Sequence, residues 1–288
     1  MKISELFKEK DKQVFSFEVF PPKKDSGIET IYNTLEELKD LKPDFISVTY
    51  GAGGREAGNS KTCEIATIIK DKYNITPVAH LTCVNSSVDE VDAELNSLKE
   101  HGIENILALR GDIAKDIPRK TDFRYASELV EYIKNHGDFH VSGACYPEVH
   151  ADANSMVEDI LNLKKKVDAG ATHLISQLFF DNSKFYDFRD KARIAGINVP
   201  IEAGIMPVIN KSNIERMVTM CGASLTPKFV KVLQKYGDSP EALRDAGIAY
   251  AVDQIIDLVS NGVDGIHLYT MNNPYVARKI YESVKNLF

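Results

Sequence analysis

The run FSFEVFPP at residues 15–22 alternates large apolar groups with Ser16 and Glu18 and then stops at a Pro-Pro step. Successive side chains of a strand point to opposite faces, so Phe15, Phe17 and Val19 share one face and Ser16 and Glu18 the other. The same construction recurs along the chain. ISVTYGAGG (46–54) sets Ile46, Val48 and Tyr50 against Ser47 and Thr49, and His80 and Thr82 share a face in the run ending HLTC (80–83). ILALRGD (106–112), ACYPEVH (144–150) and SQLFFD (176–181) likewise end in polar groups. Apolar strands that each finish in a functional group, with helical segments between them, are how a (β/α)8 barrel gathers a site on one rim.

Extending this pattern predicts strands near 15–20, 45–50, 76–83, 104–110, 140–146, 172–180, 200–207 and 265–271. Helical periodicity places helices near 27–41, 60–73, 87–101, 125–136, 154–169, 183–195, 212–221 and 274–287. The stretch 226–260 reads as an additional helical segment before the last strand. The pairs His101-Gly102, Ala169-Gly170 and Ala195-Gly196 fit glycine caps at helix ends. The expected fold is α/β, a (β/α)8 barrel forming one domain over residues 1–288. An open doubly wound sheet is the competing arrangement of the same elements.

Composition narrows the function. The net charge of −7 is spread along 288 residues, which argues against a nucleic-acid surface, since that needs a concentrated basic patch. No apolar run approaches the ~18 residues of a membrane span. The charged start MKISELFKEKDKQ lacks the apolar core of a secretion signal, so a cytoplasmic location is expected. Cys63, Cys83, Cys145 and Cys221 are far apart, as free thiols in a reducing compartment would be. His80, His150 and His267 lack metal-ligand spacing, and no metal site is expected. Gly51-Ala52-Gly53-Gly54 is not a dinucleotide fingerprint, because Glu56 stands where the third glycine belongs.

Three constellations could carry chemistry. Glu18 lies between Phe17 and Val19, where desolvation would raise its pKa toward a general-acid range, or where it could instead pair with a cation inside the barrel. Arg110-Gly111-Asp112 offers a rigid donor fork, close backbone approach and a rim carboxylate; a structural Arg–Asp pair would use the same residues. The segment Asp112–Arg124 that follows could cover a cofactor or simply be a mobile loop. On the helix after the fifth strand, Met156, Ile160, Leu163 and Val167 form the buried stripe, with Asp159, Asn162 and Lys166 beside it. That second stripe could grip a cofactor or serve as an ordinary boundary layer. The run Lys164-Lys165-Lys166 reads by default as a solvated face.

Taken in order, FSFEVFPPK, ISVTYGAGG, HLTC, ILALRGD, ACYPEVH, LNLKKKVDAGA, SQLFFD, GIMPV and HLYTMN resemble the methylenetetrahydrofolate reductases, flavin enzymes of one-carbon metabolism and methionine biosynthesis. The resemblance spans nearly the whole chain. It implies FAD bound noncovalently at the strand C-termini, NADH or NADPH as electron donor, and reduction of 5,10-methylenetetrahydrofolate to 5-methyltetrahydrofolate by hydride transfer from the reduced flavin. By position, Glu18 resembles the family's general acid, and Asp112 the aspartate between flavin and pterin. Thr49, Tyr50, Ala52, His80, Arg110, Gly111, Asp112, Tyr125, Ala126, Tyr146, His150, Ala153, Asp159, Asn162, Lys165 and Lys166 are the implied cofactor contacts. Glu18, Asp112, Gln177, Asn213 and Asn273 are the candidates for the folate.

One departure stands out: the family's bacterial pattern has arginine where this chain has Asn273, which bears on how the folate's glutamate tail is held. A homo-oligomer, or a complex with a redox partner subunit and a donor such as ferredoxin, is the assembly implied. A flavin-free barrel passing methyl to a corrinoid protein, and a non-catalytic folate-binding barrel, are the rival readings.

Overall fold

The computed structural model describes residues 1–8, 13–22, 28–50, 61–113 and 120–288. Its eight parallel strands are β1 (Val14–Val19), β2 (Phe45–Val48), β3 (Thr76–Thr82), β4 (Asn105–Leu109), β5 (His140–Cys145), β6 (His173–Ser176), β7 (Ile201–Ile205) and β8 (Gly265–Tyr269). They pair in sequence order, and β8 returns to β1 to close the barrel. Closure removes the open doubly wound alternative. Among the described residues, no helix is long and apolar enough to cross a membrane.

Alternation is obeyed on every strand. Phe15, Phe17, Val19, Ile46, Val48, Ala79, Leu81, Ile106 and Ala108 all belong to the layer between barrel and helices. Facing the axis near the strand N-termini are Val14, Phe45, Val78, Leu107 and Ile175, with Ile3, Leu6 and Phe7 of an N-terminal 3-10 turn (Ile3–Lys8) packed against them. That turn, absent from the expected elements, plugs the floor: Ile3 N–H donates to Asn105 Oδ1 at 2.9 Å and Phe7 stacks on His173 with ring centroids 4.8 Å apart.

The helices of the outer layer are α1 (Ile28–Leu38), α2 (Lys61–Tyr73), α3 (Val88–Glu100), α4 (Ala126–His136), α5 (Met156–Asp168) and α6 (Asn182–Ile194). Three helices then precede β8, namely α7 (Lys211–Cys221), α8 (Pro227–Tyr236) and α9 (Pro240–Ser260), and α10 (Pro274–Val284) follows it. An extra helical segment is therefore present, but its identity shifts. Ala251, Ile255 and Leu258 of α9 join the main core. Ile214 of α7 and Phe229 and Leu233 of α8 join a satellite cluster with Leu178, Phe180, Met206 and Val208. The helix that covers β7 is thus α9, and α7–α8 are the addition. Cys63, Cys83 and Cys145 are buried and Cys221 is half-buried.

Candidate active site

The strand C-termini meet in a polar mouth centred on Glu18. Its side chain is 18% exposed, and Oε2 lies 3.6 Å from Nε2 of both His80 and His267. The neighbours of this carboxylate are therefore imidazoles, where the sequence alone suggested hydrocarbon. The strand end is fixed from β8: Thr270 Oγ1 donates to the Glu18 carbonyl at 2.6 Å, and Asn272 exchanges two hydrogen bonds with the Phe20 backbone. Met271 and Asn272 adopt positive φ to make that turn, a conformation Asn tolerates better than Met.

Burial drives His80 down to about 4, with Glu18 opposing and His267 reinforcing the shift, so its ring is neutral at neutral pH. Among the described residues, its Nε2 is buried without a hydrogen-bond partner, as is Asn85 Oδ1. Beneath Glu18 the barrel axis is polar. His267 Nδ1 is 2.6 Å from Ser16 Oγ, and its Nε2 is 3.3 Å from Ser47 Oγ. Ser16 in turn donates to Glu202 Oε1 at 2.8 Å. Tyr269 points inward and donates to the Ser176 carbonyl at 2.7 Å, with burial raising its phenol well above the ordinary value.

Farther round the same rim, Arg110 follows β4 and pairs with Asp152 at 2.6 Å. Gly111 has φ +85 and packs on Thr82, where a Cβ would meet the Thr82 Cβ at 2.9 Å. Asp112 is exposed beyond it, and its carbonyl accepts from Asn85 at 3.2 Å. Tyr146 and His150 meet edge to face at 4.5 Å across a turn whose Val149 sits at φ 74. A β-branched residue there is strained by about 1–3 kcal/mol. Two anchors hold the turn: Asp159 on α5 accepts from His150 N–H at 2.9 Å, and Glu148 accepts from Ser224 N–H. Burial lowers the pKa of His150.

The three lysines of α5 separate. Lys164 forms a surface pair with Asp168, and Lys165 is exposed beside Asn162. Lys166 instead turns into the barrel wall and donates to the Ala144 carbonyl at 2.6 Å, its pKa lowered by burial. Gly143 makes this possible, since a Cβ there would lie 2.6 Å from Lys166 Cδ. The solvated-face reading of this run thus fails at Lys166.

The remaining candidates fall into four groups. Thr49, Tyr50, Gln177 and Ala153 lie on the same rim, half-buried; Thr49 follows β2 and accepts at its carbonyl from Thr62, and Gln177 Oε1 accepts from Leu178 N–H. Tyr125 is 60% exposed at the start of α4, with Ala126 buried behind it. Asn213 is exposed on α7, and Asn273 spends its Oδ1 capping α10 at Val276 N–H. Ala52, with the glycine run around it, lies outside the described residues, as does 114–119 of the loop after Asp112. Sequence reasoning did not single out Glu202 or His173, whose only signal is a polar group at an inward position of an apolar strand.

A closed parallel barrel with a carboxylate, two imidazoles and a cation-bearing rim at its strand C-termini defines an enzyme-like rim site, the place where such barrels bind small molecules. The family profile described as methylenetetrahydrofolate reductase matches residues 2–285, and the chain belongs to that family. It is 38% identical over 257 residues to the 5,10-methylenetetrahydrofolate reductase of Escherichia coli, covering 89% of this chain and 86% of that one. It is 37% identical over 279 residues to methylenetetrahydrofolate reductase 1 of Schizosaccharomyces pombe, covering 95% of this chain but 46% of the yeast protein. The chain therefore spans about half the length of that relative. A Clostridium thermocellum structure described as binding two copies of 5-methyl-5,6,7,8-tetrahydrofolic acid shares the fold, with a TM-score of 0.68 at 14% identity over 99% of this chain and 98% of that one.

Proposed function

We propose that this protein reduces 5,10-methylenetetrahydrofolate to 5-methyltetrahydrofolate, drawing electrons from NADH or NADPH through bound FAD. The observation that carries the reading is the placement of Glu18 at the mouth between His80 and His267, in a chain of this family. FAD, when bound, would carry the two electrons between donor and folate. The rim suits a flat ligand with a polar edge and a diphosphate tail: His80 Nε2 and Asn85 Oδ1 are buried and unsatisfied among the described residues, and Arg110 and Lys166 supply cationic donors. Thr49, Tyr50, Tyr146, His150 and Asp159 would line it, and Arg110 would exchange Asp152 for a phosphate oxygen.

In this reading Glu18 delivers the proton from its carboxyl to the folate nitrogen as the five-membered ring opens. Asp112 offsets the positive charge left on the one-carbon unit. Gln177 orients the pterin edge. The chain would act as a single catalytic barrel in the cytoplasm, as a homo-oligomer or beside a redox partner subunit.

Anaerobic stopped-flow absorbance tests the reading. The purified protein should be yellow, bleach with NADH, NADPH or a ferredoxin-type reductant, and recover colour with methylenetetrahydrofolate. Glu18→Gln should slow the recovery by about 10²–10⁴-fold, the usual worth of a positioned acid, and leave bleaching within twofold. Protein that gains no colour on FAD addition would instead favour the flavin-free methyl-transfer or folate-binding readings.

A further inference from the structure

The barrel axis holds a second carboxyl that the reaction above does not use. Glu202 on β7 is fully buried, and the strand register explains how it reaches the site. Its neighbour on β8 is Gly265, whose neighbour on β1 is Val14. With no side chain at 265, Glu202 crosses β8 and accepts from Ser16 on β1; a Cβ at Gly265 would lie 2.9 Å from Glu202 Cγ. Ser16 is in register with His267, and His267 reaches up to Glu18. Two hydrogen-bond-length contacts and a final 3.6 Å step therefore join Glu202 Oε1, Ser16 Oγ, His267 Nδ1, His267 Nε2 and Glu18 Oε2 in one line.

We propose that Glu202 is a positioning residue for Glu18, storing a proton at the centre of the barrel and exchanging it with the Glu18 carboxyl through Ser16 and His267. The inference rests on the reading of Glu18 as proton donor. The exchange balances. Ser16 donates to Glu202 Oε1 while that carboxyl is anionic; when Glu202 carries the proton, the Ser16 hydroxyl turns toward His267 Nδ1. The Glu202 O–H bond then breaks and its proton passes to Ser16 Oγ, while the Ser16 proton passes to His267 Nδ1 and the Nε2 proton to Glu18. Glu18 ends neutral, Glu202 anionic, and His267 in its other tautomer. With the mouth open to solvent, the reverse shift refills the store. The 3.6 Å gap at Glu18 is longer than a hydrogen bond, and catalytic contacts commonly tighten only when substrate closes the site.

The surroundings suit a stored proton. Burial pushes Glu202 up to about 8, against the lowering effects of His267 and the Ser16 hydrogen bond, with Asp44 and Asp264 adding to the rise. His173 Nε2 lies 2.9 Å from Glu202 Oε2 without hydrogen-bond alignment, and burial holds His173 near 3. The two are thus neutral neighbours at neutral pH, despite a spacing that resembles an ion pair. His140 on β5 stands 6.3 Å beyond His173, its own pKa also lowered by burial.

Glu202→Gln keeps the shape and a donor toward Ser16 but cannot release a proton. In the FAD-loaded protein, flavin bleaching by the donor should stay within twofold of wild type. Recovery with methylenetetrahydrofolate should slow at least ~10-fold, a fraction of a full general-acid effect, and its basic pH limb should move to lower pH. Superposable pH profiles, or equal slowing of both half-reactions, would overturn the inference alone. Wild-type protein that bleaches but does not recover with the folate would sink the functional reading and this inference with it. If the Gln variant does not fold, infrared spectra of wild type carrying ¹³C-glutamate decide the matter. A glutamic acid carbonyl band should disappear on titration near pH 8, and its absence would refute the store.

Discussion

Four imidazoles lie inside this barrel, and burial holds three of them, His80, His140 and His173, well below their ordinary pKa. A group whose folded pKa is depressed binds more protons when unfolded, between the folded value and about 6.5. Their contribution to stability is therefore full above about 6.5 and is lost as pH falls toward 3 to 4. Glu202 acts in the opposite sense: its raised pKa costs stability as pH climbs from the ordinary carboxylate range through about 8. The urea midpoint should accordingly drop between pH 7 and pH 4.5. His140, which has no hydrogen-bond partner among the described residues at either ring nitrogen, is the position to probe. His140→Leu should flatten the acid limb and leave the neutral-pH midpoint equal or higher, because it removes a buried unsatisfied group worth about 1–3 kcal/mol. A steeper acid limb in that variant would contradict the assignment.

At the scale of elements, Asn273 separates a folding role from a binding one. Its Oδ1 caps α10, and caps of this kind are worth about 0.5–2 kcal/mol. Asn273→Ala should lower the melting temperature by a few degrees and leave the folate KM within twofold; a large KM increase would show that it also serves the substrate. Much of this architecture was legible from one dimension. Every strand carries its apolar face outward, so the alternation at Phe15, Phe17 and Val19 against Ser16 and Glu18 was readable before any coordinates. The wall helix after β7 was not, because α7 is itself amphipathic and spends its apolar face on the satellite cluster around Phe180 and Phe229. Lys166 was ambiguous for a similar reason: its inward turn depends on Gly143, which is distant in sequence and adjacent only across the wall. Glu202 was invisible as a functional group, since its partners come from β1, β6 and β8 and no local motif announces them.

For the whole molecule, the floor matters as much as the mouth. Ile3 is fully buried in the plug, and Ile3→Ala should cost about 2–5 kcal/mol in urea unfolding, with the half-reaction rates of the folded fraction unchanged. Equal stability of the variant would mean that the plug is an ornament. The closure of β8 on β1 also has a kinetic meaning. During synthesis β1 has one side of its backbone unsatisfied until Gly265–Tyr269 is made some 250 residues later. An exposed strand edge of that kind invites pairing with foreign chains, and contacts so distant in sequence form slowly. The seam between first and last strands is therefore where nascent protein is most open to mispairing, and chaperone dependence during synthesis should end when the last strand docks.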